Sequence, residues 1–158
     1  MMIEIKGLEN FFKACDNLID MDKHGQSIMA SAGESIRNGI ERSFEKESSP
    51  FGEKWKPLKN STLTYKKKKG FSERILHKSG NLSSNWMIEA TNNKVEVFNN
   101  TQSKNGFKYG LIHQYGSKKK NIPARPFLPI DNNNVLHQSI RSVIYKDTKD
   151  FIQKIVKK

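Results

Sequence analysis

Apolar residues recur every four positions through Ile28, Ala32, Ile36, Ile40 and Phe44, with Met29 alongside, and this stripe predicts an amphipathic helix. Gly33 and Gly39 weaken it by roughly 1 kcal/mol each relative to alanine, and they allow a neighbouring backbone to approach. Ser48-Ser49-Pro50 ends it. Upstream, Ile3 and Ile5 alternate in a short strand over 2–6. After Gly7, the spacing of Phe11, Phe12, Cys15 and Leu18/Ile19 predicts a first helix from Leu8 to Ile19. From Phe51 to Lys78 no period is clear, and the segment reads as a lysine-rich loop with isolated anchors at Trp55, Leu58, Leu63 and Tyr65.

A hairpin follows. With Asn92-Asn93 as a two-residue turn, Ala90 opposes Val95, Ile88 opposes Val97 and Trp86 opposes Asn99 on an apolar face. Met87 opposite Phe98 and Glu89 opposite Glu96 share the other face, so a single register satisfies both. Tyr109 to Tyr115 is a short apolar segment that fits either a strand or a single helical turn. Pro123, Pro126 and Pro129 then impose a stiff, extended path. Asp131 or one of Asn132–Asn134 caps a final helix striped by Leu136, Ile140, Val143/Ile144, Phe151/Ile152 and Ile155. The inventory is that of an α+β fold, an antiparallel β-sheet packed by N-terminal and C-terminal α-helices and carrying long basic loops.

The 158 residues suffice for one domain over 1–158, with a helical part over 1–47 and a C-terminal helix over 132–158. A mean hydropathy of -0.74 is polar for a globular chain, so part of it is expected to be extended or ordered against partners. Residues 1–47 hold nine acids against six bases, a net of −3, so the remainder carries +15 of a total of +12. Nine bases face only Glu73 between Lys54 and Lys78. A mildly acidic helical part and a strongly basic body follow, the latter suited to an anionic surface or nucleic acid. No apolar run approaches the ~20 residues needed to span a bilayer. The first residues do not read as a secretory signal, which implies synthesis in the cytoplasm. Cys15 is the single cysteine and sits among apolar residues as a packing thiol, so no disulfide or cysteine metal cage can form.

Catalytic constellations are missing. His24, His77, His113 and His137 stand singly, with no His-x-x-x-His spacing, and no phosphate-binding loop or nucleophile elbow occurs. Glu89 and Glu96 converge across the hairpin, but without a third ligand they read as an exposed pair relieved by Lys94. Lys66, Lys67, Lys68 and Lys69, beside Tyr65 and Phe71, combine charge with aromatics as nucleic-acid grooves do, yet no defined nucleic-acid module is readable.

Three ordered blocks carry a resemblance. The first is Ser49-Pro50-Phe51-Gly52-Glu53-Lys54-Trp55-Lys56-Pro57-Leu58 with Ser61-Thr62-Leu63. The second is Ile75-Leu76-His77-Lys78-Ser79-Gly80-Asn81-Leu82-Ser83-Ser84. The third is Tyr109-Gly110-Leu111-Ile112-His113-Gln114-Tyr115-Gly116, then Pro123-Ala124-Arg125-Pro126-Phe127-Leu128. They lie within residues 49–130 and resemble the phage virion morphogenesis family, the tail-completion proteins of Mu-like and P2-like phages. Gly110 stands where that family favours alanine and Asn81 where a basic residue is common.

The resemblance implies a non-enzymatic protein without cofactors that acts late in tail completion or head–tail joining. It would assemble as a homo-oligomeric ring against other neck and tail proteins, in the host cytoplasm during assembly and in the virion afterwards. Within that frame Arg125 and Phe127 are candidate partner contacts. The alternative is that Phe127 and Leu128 plug the core while Arg125 caps an internal carboxylate. Lys66–Lys69 and Lys118, Lys119 and Lys120 are candidate interface or DNA-facing positions. Trp55 and Trp86 are expected as core anchors, and His113-Gln114 as hydrogen-bonding partners of loop backbone. Leu82, Tyr115, Gly116, Pro126 and Leu128 complete the structural motif.

Overall fold

The computed structural model describes residues 21–131 and 133–156. The predicted strand over 2–6, the helix from Leu8 to Ile19 with its Cys15, and Asn132 lie outside the described residues. In chain order the elements are α1 (Met21–Lys46), α2 (Asn60–Lys68), α3 (Asn81–Ser84), β1 (Met87–Ala90), β2 (Val95–Phe98), α4 (Tyr109–Tyr115) and α5 (Gln138–Val156). The class is α+β, and among the described residues the sheet is the two-stranded antiparallel β1–β2 hairpin.

The four-residue stripe builds α1 as expected, with Ile40 and Phe44 fully inside and Ile36 packed beside them. Its glycines mark where other elements touch it. A Cβ on Gly25 would stand 2.5 Å from the backbone oxygen of Asn92, and one on Gly33 would meet Ile88 Cγ2 at 2.6 Å and Val95 Cγ2 at 2.9 Å. The hairpin therefore lies directly across the helix, by backbone contact at Gly25 and by side-chain contact at Gly33. On Gly39 a Cβ would meet Ile140 of α5 at 2.8 Å, so the C-terminal helix packs along α1 through the same device. Gly33→Ala gains helix propensity but forces two branched side chains aside, and we expect a net loss of about 1 kcal/mol. Thermal unfolding checks this; an unchanged or raised melting temperature would show that the hairpin yields freely.

The end of α1 is a left-handed stop. Glu47 takes φ 49 and Ser48 N donates to Ser43 O at 3.1 Å, the six-to-one bond that satisfies a terminal carbonyl. A tight turn through Gly52 (φ 94) then brings Trp55 back under Phe44.

The hairpin register is the one the alternation predicts: Met87↔Phe98, Ile88↔Val97, Glu89↔Glu96 and Ala90↔Val95. The expected pair Trp86–Asn99 lies one step beyond the ladder. There Trp86 Nε1 and Asn99 Nδ2 both donate to Leu82 O, at 3.0 and 3.4 Å. Neither turn asparagine uses positive φ; Thr91 N closes the turn on Lys94 O at 2.8 Å. Lys94 Nζ holds Glu96 at 2.8 Å, as expected of an exposed acid pair.

Three expectations need correction. Residues 60–68 are helical, because the lysine run Lys66–Lys68 supplies good helix formers whose charges hide the weak apolar signal. The final helix begins at Gln138, six residues late, because Asp131 Oδ1 accepts from Asn133 N and Val135 N (2.8 Å each) and caps a separate turn. On α5, Ile140 is buried and Ile144 half-buried, but Val143 faces outward.

One hydrophobic cluster joins the parts: Ile40, Phe44, Trp55, Leu82, Trp86 and Phe127. Of the elements, α1, α3, β2 and α4 each send a side chain into or against it. That cluster positions the remaining surface.

Candidate functional site

The proline segment over 123–129 is clasped from both sides. On one side Gln114, buried at the end of α4, accepts at Oε1 from both Phe127 N (2.9 Å) and Leu128 N (3.0 Å). His113 O accepts from Arg125 N at 2.7 Å. Gly116, at φ 76, lets the chain turn against Ala124; a Cβ there would stand 2.8 Å from the Ala124 nitrogen. On the other side Arg125 donates Nε to Lys56 O (2.9 Å) and a terminal nitrogen to Pro57 O (3.1 Å), while Trp55 Nε1 donates to Pro126 O at 2.8 Å. Phe127 fills the space between Phe44 and Trp86, with ring centroids at 5.2 and 6.0 Å.

Two of the three resemblance blocks are thus stitched together by side-chain-to-backbone bonds, and the middle one joins them through Leu82 in the core, with Ile75 and Leu76 packed against it. Trp55, Trp86, Leu82, Phe127 and Gln114 are buried, as core anchors and backbone partners should be. Arg125 is buried too and caps two backbone carbonyls rather than the carboxylate expected of an inward role. Neither Arg125 nor Phe127 presents its side chain to solvent as a partner contact would. Leu128 and Pro126 are half-buried, whereas Tyr115 turns outward.

The first lysine cluster divides. Lys66 is buried on α2, and its ammonium donates to Arg74 O (2.6 Å) and His77 O (3.0 Å), which folds the 70–78 loop back over the helix. Burial pulls its pKa below the ordinary lysine value, opposed in part by Glu47 and Glu73. Lys66 is thus an internal tie and cannot face DNA or a partner, whereas Lys67, Lys68 and Lys69 are exposed, with Lys67 3.5 Å from Glu73. No local pattern marks Lys66, since its acceptors are backbone oxygens of a later loop. Lys118, Lys119 and Lys120 are all exposed on the turn after α4. A groove of about 620 Å³ opens beside that turn, between Lys118 and Tyr115 on one wall and Lys56 and Lys59 on the other.

His113 is half-buried on α4, and its Nδ1 is enclosed with no hydrogen-bond partner. Burial, and then the charge of Arg125, hold its pKa below the ordinary 6.5. The unfolded chain therefore binds a proton at His113 at a pH where the folded chain does not. Its contribution to stability is complete above 6.5 and is lost as pH falls through 6.5 toward the folded pKa. We expect the melting temperature to drop between pH 7.5 and pH 5.5 (about one unit either side of the free imidazole value) and His113→Gln to flatten that drop. Identical slopes for the two proteins would exclude the assignment. Among the described residues, no group of three His, Cys, Asp or Glu side chains could hold a metal ion.

The family model for phage virion morphogenesis matches residues 3–148. The chain belongs to the phage virion morphogenesis family. The match reaches well beyond the three blocks, into α1 and α5, where no short motif stands out. The chain is similar to the Mu-like prophage FluMu G protein 1 of Haemophilus influenzae, 24% identical over 92% of each chain. It is also similar to an uncharacterized protein of Methanocaldococcus jannaschii, 32% identical over 78% of this chain and 80% of that one. No solved structure matches it.

Proposed function

We propose that this member of the phage virion morphogenesis family is a structural virion protein acting in tail completion or head–tail joining. It assembles through protein interfaces as a homo-oligomeric ring, with other neck and tail proteins as its partners. It catalyses no reaction and takes no cofactor. The observation that carries this reading is the family match over residues 3–148. The full-length similarity to a Mu-like prophage G protein adds to it. The geometry agrees: Trp55, Leu82, Gln114, Arg125 and Phe127, drawn from all three blocks, are spent on internal bonds and core packing. No helix among the described residues is long and apolar enough to cross a membrane. The host cytoplasm during assembly, and the virion neck or tail afterwards, are the places this role requires.

A second reading has its own support. Lys67, Lys68 and Lys69 and the Lys118–Lys120 turn are exposed on a chain of net charge +12, which suits a DNA-binding accessory protein of a mobile element. Within a ring the same lysines would give DNA passing through the lumen a contact of low specificity. Sedimentation of the purified chain over a concentration series, with DNA binding measured across a salt series, separates the two. A closed oligomer with little DNA affinity is the expected result. A monomer whose DNA affinity falls steeply with salt would overturn the structural reading. Deleting the gene from an inducible phage should leave heads and tails that do not join into infectious particles, and particles of normal yield and form would be equally decisive against it.

A further inference from the structure

The outward face of α4 is apolar where a helix surface should be polar. Leu111 and Tyr115, one turn apart on it, are 57% and 60% exposed, and Phe107, just before the helix, is 44% exposed. The neighbouring charges are all of one sign. Lys104, Lys108 and Lys118–Lys120 flank this stripe, Lys120 Nζ sits 4.6 Å from the centre of the Phe107 ring, and residues 97–130 contain no Asp or Glu. Tyr115 also walls the groove that runs on to Lys56 and Lys59, so stripe and groove are continuous. A row of exposed apolar side chains with a charged rim is the anatomy of a protein interface awaiting its partner.

We propose that this face docks an amphipathic acidic segment of a different protein, its apolar residues on Leu111 and Tyr115 and its carboxylates on the lysine rim and in the groove. Charge decides among the occupants. A second copy of the chain carries +12 as a whole, and even its acidic residues 1–47 intersperse six bases with nine acids, a poor complement to a face whose own segment, 97–130, holds no acid. Nucleic acid would satisfy the lysines but leave Leu111 unrewarded, because an aliphatic side chain offers neither a stacking surface for bases nor a donor for phosphates. An acidic segment with apolar anchors satisfies both halves. The proposal deepens the joining role, and rests on it only for the expectation that a partner protein exists.

The test uses the full chain with Leu111 replaced by the photo-cross-linker p-benzoylphenylalanine, produced in cells expressing the phage genes that surround it, with the same replacement at Tyr145 of α5 as control. Mass spectrometry then identifies the attached peptide. The expected product joins Leu111, and not Tyr145, to a segment of another protein in which acids outnumber bases and apolar residues are present. Reversing the rim with Lys118→Glu, Lys119→Glu and Lys120→Glu should cut its yield about tenfold with the melting temperature unchanged. Lys119→Glu alone serves if the triple variant does not fold. Attachment to a second copy, to DNA or to a segment that is not acidic, no attachment, or a yield indifferent to charge reversal would each overturn the proposal. An acidic segment from a protein outside the virion would uphold the docking face while removing the joining role. A non-acidic segment of a neck or tail protein would do the reverse.

Discussion

Phe127→Ala should lower the stability of the chain by about 3–5 kcal/mol, the largest loss expected of any single truncation in this core. Phe127 is 2% exposed and fills the space between the rings of Phe44 and Trp86, so its removal opens a cavity walled by large, rigid side chains. Those walls cannot close in. Phe44 is held on α1 and also stacks edge-on against Trp55 at 5.5 Å, while Trp86 is tied to Leu82 O. The backbone at 127 is clasped by Gln114 as well, so it cannot slide to let Leu128 fill the gap. Since whole domains are stable by only about 5–15 kcal/mol, the variant should unfold at much lower urea, with its midpoint moved and its slope unchanged. Phe127→Leu keeps most of the volume and should lose less. A midpoint for Phe127→Ala within error of wild type would mean that the cluster around Phe127 does not hold these elements together.

That core was largely legible in the sequence, and the reason is period. The stripe Ile36, Ile40, Phe44 repeats at a helical interval and the hairpin residues alternate at two, so each pattern carries its own geometry. Trp55 and Trp86 needed only their size in a polar chain to be recognised as anchors. What stayed hidden depends on contacts distant in sequence. Lys66 looks like one of four equivalent lysines, and only the fold of residues 70–78 supplies the two carbonyls that draw it inside. Arg125 is similar: prolines on either side stiffen its backbone, but the acceptors that determine its direction are Lys56 O and Pro57 O, 69 and 68 residues earlier. The outward face of α4 is an intermediate case. Within Tyr109–Tyr115 the apolar run fits strand or helix equally, and only the fold shows a helix that exposes Leu111 and Tyr115 one turn apart. Asp131 shows how a correct chemical signal can be misplaced, since an aspartate caps a turn by the same bonds with which it would cap a helix.

Gln114→Met should be the second most damaging change, at about 2–5 kcal/mol, although it leaves volume and shape nearly intact. The Gln114 side chain contributes one oxygen at the centre of the clasp, and that oxygen satisfies two backbone donors, Phe127 N and Leu128 N. Methionine fills the same space and accepts almost nothing, so Phe127 N is left buried without a partner and Leu128 N nearly so. Each stranded donor costs about 1–3 kcal/mol, whereas the packing term is close to zero; the loss therefore measures the hydrogen bonds alone. Gln114→Glu restores an acceptor while burying a charge, and should fall between wild type and Gln114→Met. Because Phe127 and Gln114 fix the same stretch of backbone, the double variant should lose less than the sum of the two single losses. Strict additivity in urea denaturation would show that ring and amide act separately. A shortfall of 1 kcal/mol or more, of the size found for contacting residues, would show that the core cluster and the clasp on the proline segment are one cooperative unit. The docking face on α4 would then depend on that unit for its shape, because Gln114 and the exposed Leu111 and Tyr115 are carried by the same two turns of helix.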